Sequence, residues 1–188
     1  MGFTGKSTLK TTIPNKPTPT GFKVWAVAES GLILRWNWHI PGKGPVGVLK
    51  NQESAKLNPT QRVVTHLVWS LPKAPYHVFL DNLFSSPTLF KVLRNSGIGA
   101  SGTARTNSGI FQGLVDEKKK PDPKKPWGWI QAVPTPDSQV NQFAWKDSDI
   151  VLFISTIFAY TETTIIRRRR PAKANTQAKK KAWEAFEG

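Results

Sequence analysis

Residues 76–94, YHVFLDNLFSSPTLFKVLR, contain the transition that decides the fold. The first six letters form a nearly continuous apolar run that ends at Asp81, which predicts a short apolar strand ending in a carboxylate. Ser86-Pro87 then predicts a helix start, because serine caps free N–H groups and proline fits the first helical turn. Apolar residues at helical spacing follow as far as Leu93. A strand that leads directly into a helix indicates an α/β sheet.

The flanking segments extend this pattern. GFKVWAVAE and LILRWNWHI, joined at Ser30-Gly31, predict a hairpin, and Asn58-Pro59 predicts a helix start. The predicted order is β-β-α-β-α-β, which favours a mixed sheet covered by helices. Strands are predicted at residues 21–29, 32–40, 76–81, 98–106 and 149–155.

Residues 106–142 interrupt this order and are interpreted as a lysine-rich insertion. They contain DEKKKPDPKKPWGW, which predicts a charged, proline-rich loop, with short strands beside it around WIQAV and QFAWK. The chain is therefore divided into a core of residues 1–157 and a basic, flexible tail of residues 158–188.

The charge balance indicates a polyanionic partner. The 188 residues contain 27 Lys and Arg against 12 Asp and Glu, a formal net charge of +15. Such an excess is typical of nucleic-acid-binding proteins, although basic character that serves only solubility stays open. The absence of cysteine excludes disulfide scaffolds and Cys-ligated zinc sites. No apolar run is long enough to cross a membrane and no signal peptide precedes the core, so we expect a soluble, intracellular protein.

Other motifs give weaker evidence of function. GFTGKST lacks the glycine spacing of a phosphate-binding loop, and His39, His66 and His77 have no metal-ligand spacing. Asp81 is the most informative carboxylate. At the end of a strand it can bind a divalent ion through oxygen, or it can cap the following turn, and spacing alone leaves both open.

Four ordered blocks resemble the piggyBac-type transposases, in particular the piggyBac-derived proteins of fungal genomes. The first block is GFTGKSTLKTTIPNKPTPTGFKVWAVAE and the second is YHVFLDNLFSSPTLFKVLR. The third is GIGASGTARTN, and the fourth is FAWKDSDIVLFIST. Together they extend over residues 2–157.

The resemblance implies a ribonuclease-H-like domain whose three aspartates hold two Mg²⁺ or Mn²⁺ ions for phosphodiester chemistry. Asp81 matches the second aspartate and is the one predicted catalytic and metal-binding residue. The other two would lie before Phe3 and beyond Gly188. The first central strand would also be largely missing, leaving the strands at 21–29 and 76–81 without a neighbour. The resemblance thus implies a domain truncated at both ends, derived from a cut-and-paste transposase and inactive by itself.

DNA is the expected partner, with the nucleus as the expected location. Two alternatives stay open, namely a retained non-enzymatic DNA- or protein-binding module and a decayed remnant without function. Arg167–Arg170 and Lys179–Lys181 form basic clusters that suit a nuclear-import signal, a phosphate-binding arm or a charged linker. Trp127 and Trp129 either stack on an unpaired base or pack against the core. The predicted DNA-binding residues are Lys10, Lys16, Lys23, Arg105, Lys118, Lys119, Lys120, Lys124 and Lys125.

Overall fold

The computed structural model of the chain consists of two compact units, Met1–Pro75 and Tyr76–Gly188. It describes residues 2–14, 16–159, 161, 166–169 and 183–186.

The first unit is built on antiparallel strands and one helix. Strands β1 (Thr11–Thr12) and β2 (Thr20–Gly21) pair with each other, and β3 (Lys23–Glu29), β4 (Leu32–Ile40) and β5 (Gly44–Pro45) form a three-stranded sheet. The predicted hairpin is confirmed: β3 and β4 are joined by Ser30 and Gly31, which have φ angles of 47° and 89°. Two successive positive φ angles fit a primed hairpin turn, which Gly31 adopts without a steric penalty.

Helix α1 (Pro59–Trp69) begins as its sequence predicts. The Asn58 side chain accepts the Gln61 N–H at 2.9 Å, and the Gln61 side chain accepts the Asn58 N–H in return. This reciprocal capping box satisfies two otherwise unpaired donors. The helix buries an apolar stripe that includes Val63 and Leu67, and α1 packs on β3, where Trp25 is buried.

The second unit contains a five-stranded mixed sheet, whose strands are β6 (His77–Leu80), β7 (Gly99–Thr103), β8 (Ile130–Pro134), β9 (Asn141–Lys146) and β10 (Ile150–Ser155). They lie in the order β6-β7-β10-β9-β8. Strand β6 pairs in parallel with β7, and the other three pairings are antiparallel. A further antiparallel pair, β11 (Ile166–Arg169) with β12 (Trp183–Phe186), follows later in the chain. Helices α2 (Pro87–Asn95) and α3 (Gln112–Lys119) belong to the same unit.

Helix α2 is fixed to this sheet by its core and by its last turn. Ser86 caps the helix by accepting the Leu89 N–H at 3.1 Å, and Leu89 and Phe90 are completely buried. At the other end, the Arg94 guanidinium donates to the carbonyl of Thr156 at 2.9 Å. Both ends of α2 are therefore tied down, and the turn between β6 and α2 has a defined position.

The α/β class is confirmed, but three details differ from expectation. The hairpin forms a sheet with β5 instead of belonging to one mixed sheet with the other strands, and within the described part of the chain β3 pairs only with β4. Helix α3 lies inside the segment predicted as a loop. Its sequence gave little signal, because only Leu114 and Val115 are buried and no side chain caps it. The pair β1–β2 was also missed, since two-residue strands carry no periodicity. Strands β3 and β6 each lie at the edge of a sheet among the described residues, and the absence of a central strand between them stays a prediction.

The β6–β7 pairing requires a glycine at position 102. A Cβ atom there would lie 2.3 Å from the Leu80 carbonyl oxygen and 2.6 Å from Ser85 Oγ. We therefore expect Gly102→Ala to destabilise the chain by about 1–3 kcal/mol, as overpacking does elsewhere. Urea unfolding followed by tryptophan fluorescence measures this loss, with exposed Thr88→Ala as the control. Equal midpoints for the Gly102→Ala variant and the wild-type chain would contradict the close approach.

Candidate nucleic-acid interface

The register of the sheet brings several predicted residues to one edge. Strands β6 and β7 run parallel, so Asp81 and Arg105, which follow these strands, emerge at the same end. Strand β10 runs antiparallel to β7, so its first residue, Ile150, lies at that end too. We call this end of the sheet, with Asp81, Asn82 and Arg105, the carboxyl edge.

Asp81 lies exposed at the carboxyl edge. One carboxylate oxygen accepts the N–H of Asn82 at 2.5 Å, while its backbone carbonyl accepts the N–H of Phe84 at 3.0 Å. The turn-capping role left open by the sequence is thus present. The outward carboxylate also leaves oxygen ligands available to solvent.

Arg105 is also exposed and is oriented by Asn82. Its Nε donates to the Asn82 Oδ1 at 3.0 Å, which joins the turn after β6 to the turn after β7. The two residues border an open cleft of about 510 Å³, whose wall includes Thr103, Asn107 and Lys118. The cleft therefore combines a guanidinium with amide and hydroxyl groups, which are donors suited to phosphate oxygens.

The lysine-rich segment reaches the same edge, but its lysines are not equivalent. Lys118 donates to the carbonyl of Ile150 and lies 3.8 Å from the Asp149 carboxylate. Lys125 is paired with Glu117, and its Nζ lies 3.7 Å from the centroid of the Trp129 ring. These two cations are already engaged within the chain. Three other predicted lysines, Lys119, Lys120 and Lys124, are exposed.

The tryptophans of this segment support the packing alternative. Trp127 and Trp129 are both partly buried, and the Trp129 carbonyl accepts the N–H of Lys146 at 2.8 Å. One face of the Trp129 ring is covered by Lys125. The ring therefore packs against the chain rather than presenting two open faces.

The remaining predicted residues lie elsewhere. Lys10, Lys16 and Lys23 belong to the first unit and line clefts beside β1 and β2. Arg167–Arg169 lie on β11, while Arg170 and Lys179–Lys181 fall outside the described residues. The carboxyl edge consequently contains Asp81, Arg105 and the 118–125 segment, but not the three N-terminal lysines.

The described residues do not fit a two-ion metal centre. No group of three His, Cys, Asp or Glu side chains is gathered within the part of the chain that the structure describes. Asp81 therefore supplies one candidate oxygen ligand that belongs to no such group among the described residues. His39 lies within 3.4 Å of the Trp25 indole nitrogen, and His77 within 2.9 Å of the Ser101 hydroxyl.

Sequence reasoning missed the contribution of Asn82 and Thr103 to the cleft. In the sequence, an asparagine directly after Asp81 is typical of a turn. Its place in the cleft can be found only from the three-dimensional structure. Its amide meets Arg105 only because β6 and β7 pair in the observed register.

The internal pairing of Lys125 leads to a testable distinction. We expect Lys125→Ala to lower the free energy of unfolding by about 1 kcal/mol, because it removes a cation–π contact and an ion pair that are largely shielded from solvent. Its effect on DNA affinity should be small. Alanine at Lys119, Lys120 and Lys124 together should leave stability within about 0.5 kcal/mol and lower DNA affinity. Urea unfolding and fluorescence anisotropy measure the two properties, and a reversed pattern would contradict the assignment.

Comparison with known proteins identifies the family. The family model described as Transposase IS4 matches residues 1–188. PiggyBac transposable element-derived protein 2 of Homo sapiens is 27% identical over 167 residues, which are 86% of this chain and 27% of the human protein.

A cryo-EM structure of a piggyBac transposase synaptic complex with hairpin DNA matches with a TM-score of 0.67 at 22% identity. The match includes 86% of this chain and 32% of the solved one, so both relatives extend far beyond the region of similarity. At this identity the likeness concerns the fold. Within the described residues, no helix is long and apolar enough to span a membrane. The family-model match over the whole chain agrees with the resemblance found in the four sequence blocks, and the chain belongs to the piggyBac transposase family.

Proposed function

We propose that residues 1–188 form a DNA-binding domain derived from a cut-and-paste transposase, with the carboxyl edge in contact with backbone phosphates. The observation that carries this proposal is the oriented Arg105 guanidinium beside an open cleft that Lys118 also lines. Three exposed lysines follow Lys118 in the chain.

The chemistry of this edge suits a sugar-phosphate backbone. A guanidinium held by Asn82 is partly preorganised, so less side-chain entropy is lost when it binds a phosphate. Lys119, Lys120 and Lys124 add flexible charges of the kind that supply sequence-independent affinity. Asp81 lies at the same edge as Arg105. In the absence of a metal ion, its negative charge repels an approaching phosphate.

Two finer statements belong to this proposal. The five-stranded unit is assigned to a ribonuclease-H-like architecture, with the lysine-rich segment as an insertion that extends the DNA-binding edge. The nucleus is its proposed location, since a family that acts on DNA requires access to it. Both assignments are supported by the family match and by the fold likeness to a transposase.

For residues 1–188 alone we propose binding without strand cleavage or transfer. A two-ion mechanism needs several carboxylates that clamp both ions. Here Asp81 is a single ligand, and we expect it to hold Mg²⁺ or Mn²⁺ only weakly. The match covers 27% and 32% of the two longer relatives, and any transposition activity is proposed only for a protein that includes the regions outside it.

A protein-binding module is a second candidate, favoured by an aromatic face in the first unit. Phe3, Phe22, Trp38 and Trp36 form a row of rings with centroid separations of 4.6, 5.7 and 5.3 Å. Trp36 is 54% exposed and Trp38 is 39% exposed. Exposed apolar patches of this kind often mark interaction surfaces.

The proposal is tested by titrating a fluorescent duplex with the full chain at several salt concentrations. We expect Arg105→Ala to weaken binding about tenfold and to lower the salt slope by about 0.9, the value for one lost phosphate contact. Lys50→Ala, which removes an exposed lysine in a loop of the first unit, is the matched control. An Arg105→Ala affinity and slope equal to those of the control would exclude the carboxyl edge.

A substitution at Asp81 distinguishes DNA binding without a metal ion from metal-dependent strand cleavage. Asp81→Asn should leave duplex affinity equal or slightly higher in EDTA, because one like charge beside the phosphates is removed. Neither chain should cleave a hairpin-ended duplex or a plasmid in Mg²⁺ or Mn²⁺. Cleavage by the wild-type chain that disappears in Asp81→Asn would contradict binding without catalysis.

A further inference from the structure

A second cluster of cations lies in the first unit, in a cleft of about 270 Å³ beside β1, β2 and β3. Its lining includes Lys16 and Lys23 together with Thr11 and Thr18. This cleft is separate from the carboxyl edge, which is formed entirely by residues of the second unit.

The two ammonium groups belong to a strongly basic part of the chain. Neither lysine forms an ion pair with a carboxylate in the described part of the chain. Residues 1–75 contain ten lysines and arginines and only two acidic residues, Glu29 and Glu53. The pKa of Lys23 is lowered, first by burial and then by the charge of the Lys16 ammonium, and both side chains line the cleft.

Lys23 is held in place by its neighbours. Its Nζ lies 4.2 Å from the centroid of the Trp25 ring, and Trp25 is buried. A cation held on an aromatic face has less freedom to move away from a like charge. Lys23 therefore keeps its positive charge in a cleft that Lys16 also lines.

An unpaired hydroxyl adds a second, independent feature. Thr11 lines the cleft, and its Oγ1 is buried with no hydrogen-bond partner among the described residues. Leaving a buried hydroxyl unpaired costs about 1–3 kcal/mol. A hydrogen-bond acceptor seated in the cleft removes that cost, once rotation about χ1 turns the hydroxyl towards it.

We infer that this cleft is a phosphate subsite, in which Lys16 and Lys23 neutralise a phosphate group and Thr11 donates to one of its oxygens. An anion between the two ammoniums replaces their repulsion with two attractions, and a phosphate oxygen accepts the orphan hydroxyl. The same chemistry serves free phosphate and the backbone of DNA. We assign the subsite to a DNA phosphate, and that assignment rests on the proposed function, whereas affinity for phosphate itself does not.

Three variants separate a ligand site from a structural one. Thr11→Val keeps the shape of the side chain and removes the hydroxyl, and Lys16→Met removes one ammonium but keeps an unbranched side chain. Lys6→Met, at an exposed lysine outside the lining of this cleft, is the matched control. If the two groups serve the fold, their loss lowers the melting temperature. If they serve an anion, both variants melt at an equal or higher temperature in chloride, because an unpaired hydroxyl or a like charge is gone.

The first measurement is the thermal unfolding of the full chain in chloride and in inorganic phosphate at matched ionic strength. Phosphate at ten times its Kd should increase the folding equilibrium constant of the wild-type chain and of Lys6→Met about elevenfold. Thr11→Val and Lys16→Met should lose most of this response. A wild-type chain indifferent to phosphate, or variants that melt lower in chloride yet respond fully, would overturn the subsite.

The second measurement is duplex titration with the same variants. Lys16→Met should lower the salt slope by about 0.9, and Thr11→Val should weaken binding several-fold. Loss of the phosphate response with unchanged duplex affinity would overturn the DNA assignment in favour of free phosphate. Unchanged DNA affinity of the Arg105→Ala variant would contradict a DNA interface at the carboxyl edge. The phosphate response of Thr11→Val would still report on this cleft.

Discussion

The parallel pairing of β6 with β7 is the constraint on which the candidate interface depends. It aligns the ends of two strands, so that the residues after each one meet, and it is close enough that only glycine fits at position 102. The hydrogen bond between Asn82 and Arg105 follows from that register. A slip of one residue would turn every side chain of β6 to the opposite face and separate these groups.

Charge in this protein is divided between cations that the fold uses and cations that it leaves available. Lys118 and Lys125 stabilise the second unit through a carbonyl, carboxylates and an aromatic ring. Lys16 and Lys23 are placed near each other with no compensating carboxylate among the described residues. The net charge of +15 therefore does not locate an anion site by itself. The cations without a carboxylate partner among the described residues indicate where an anion binds.

Much of the fold could be predicted from short signals. The caps Asn58-Pro59 and Ser86-Pro87, the turn Ser30-Gly31 and the apolar run before Asp81 all form the elements that they predict. Helix α3 could not be predicted, because two buried residues and no cap leave the sequence looking like a polar loop. Nor could the division among the lysines, since each has the same local pattern and differs only in its distant partners. The sequence predicts Arg105 as a DNA-binding residue, and it is the strand register that brings it to the same edge as Asp81.

The most direct test of the account locates the bound duplex on the protein. Because the chain has no cysteine, a single one can be introduced at exposed Thr106, beside Arg105, and derivatised with a hydroxyl-radical-generating iron chelate. Asn95→Cys, exposed at the last residue of α2 and opposite the carboxyl edge, is the matched position. The account predicts strand scission of the bound duplex from Thr106→Cys and much weaker scission from Asn95→Cys. Equal scission from both positions, or stronger scission from Asn95→Cys, would contradict a DNA interface at the carboxyl edge.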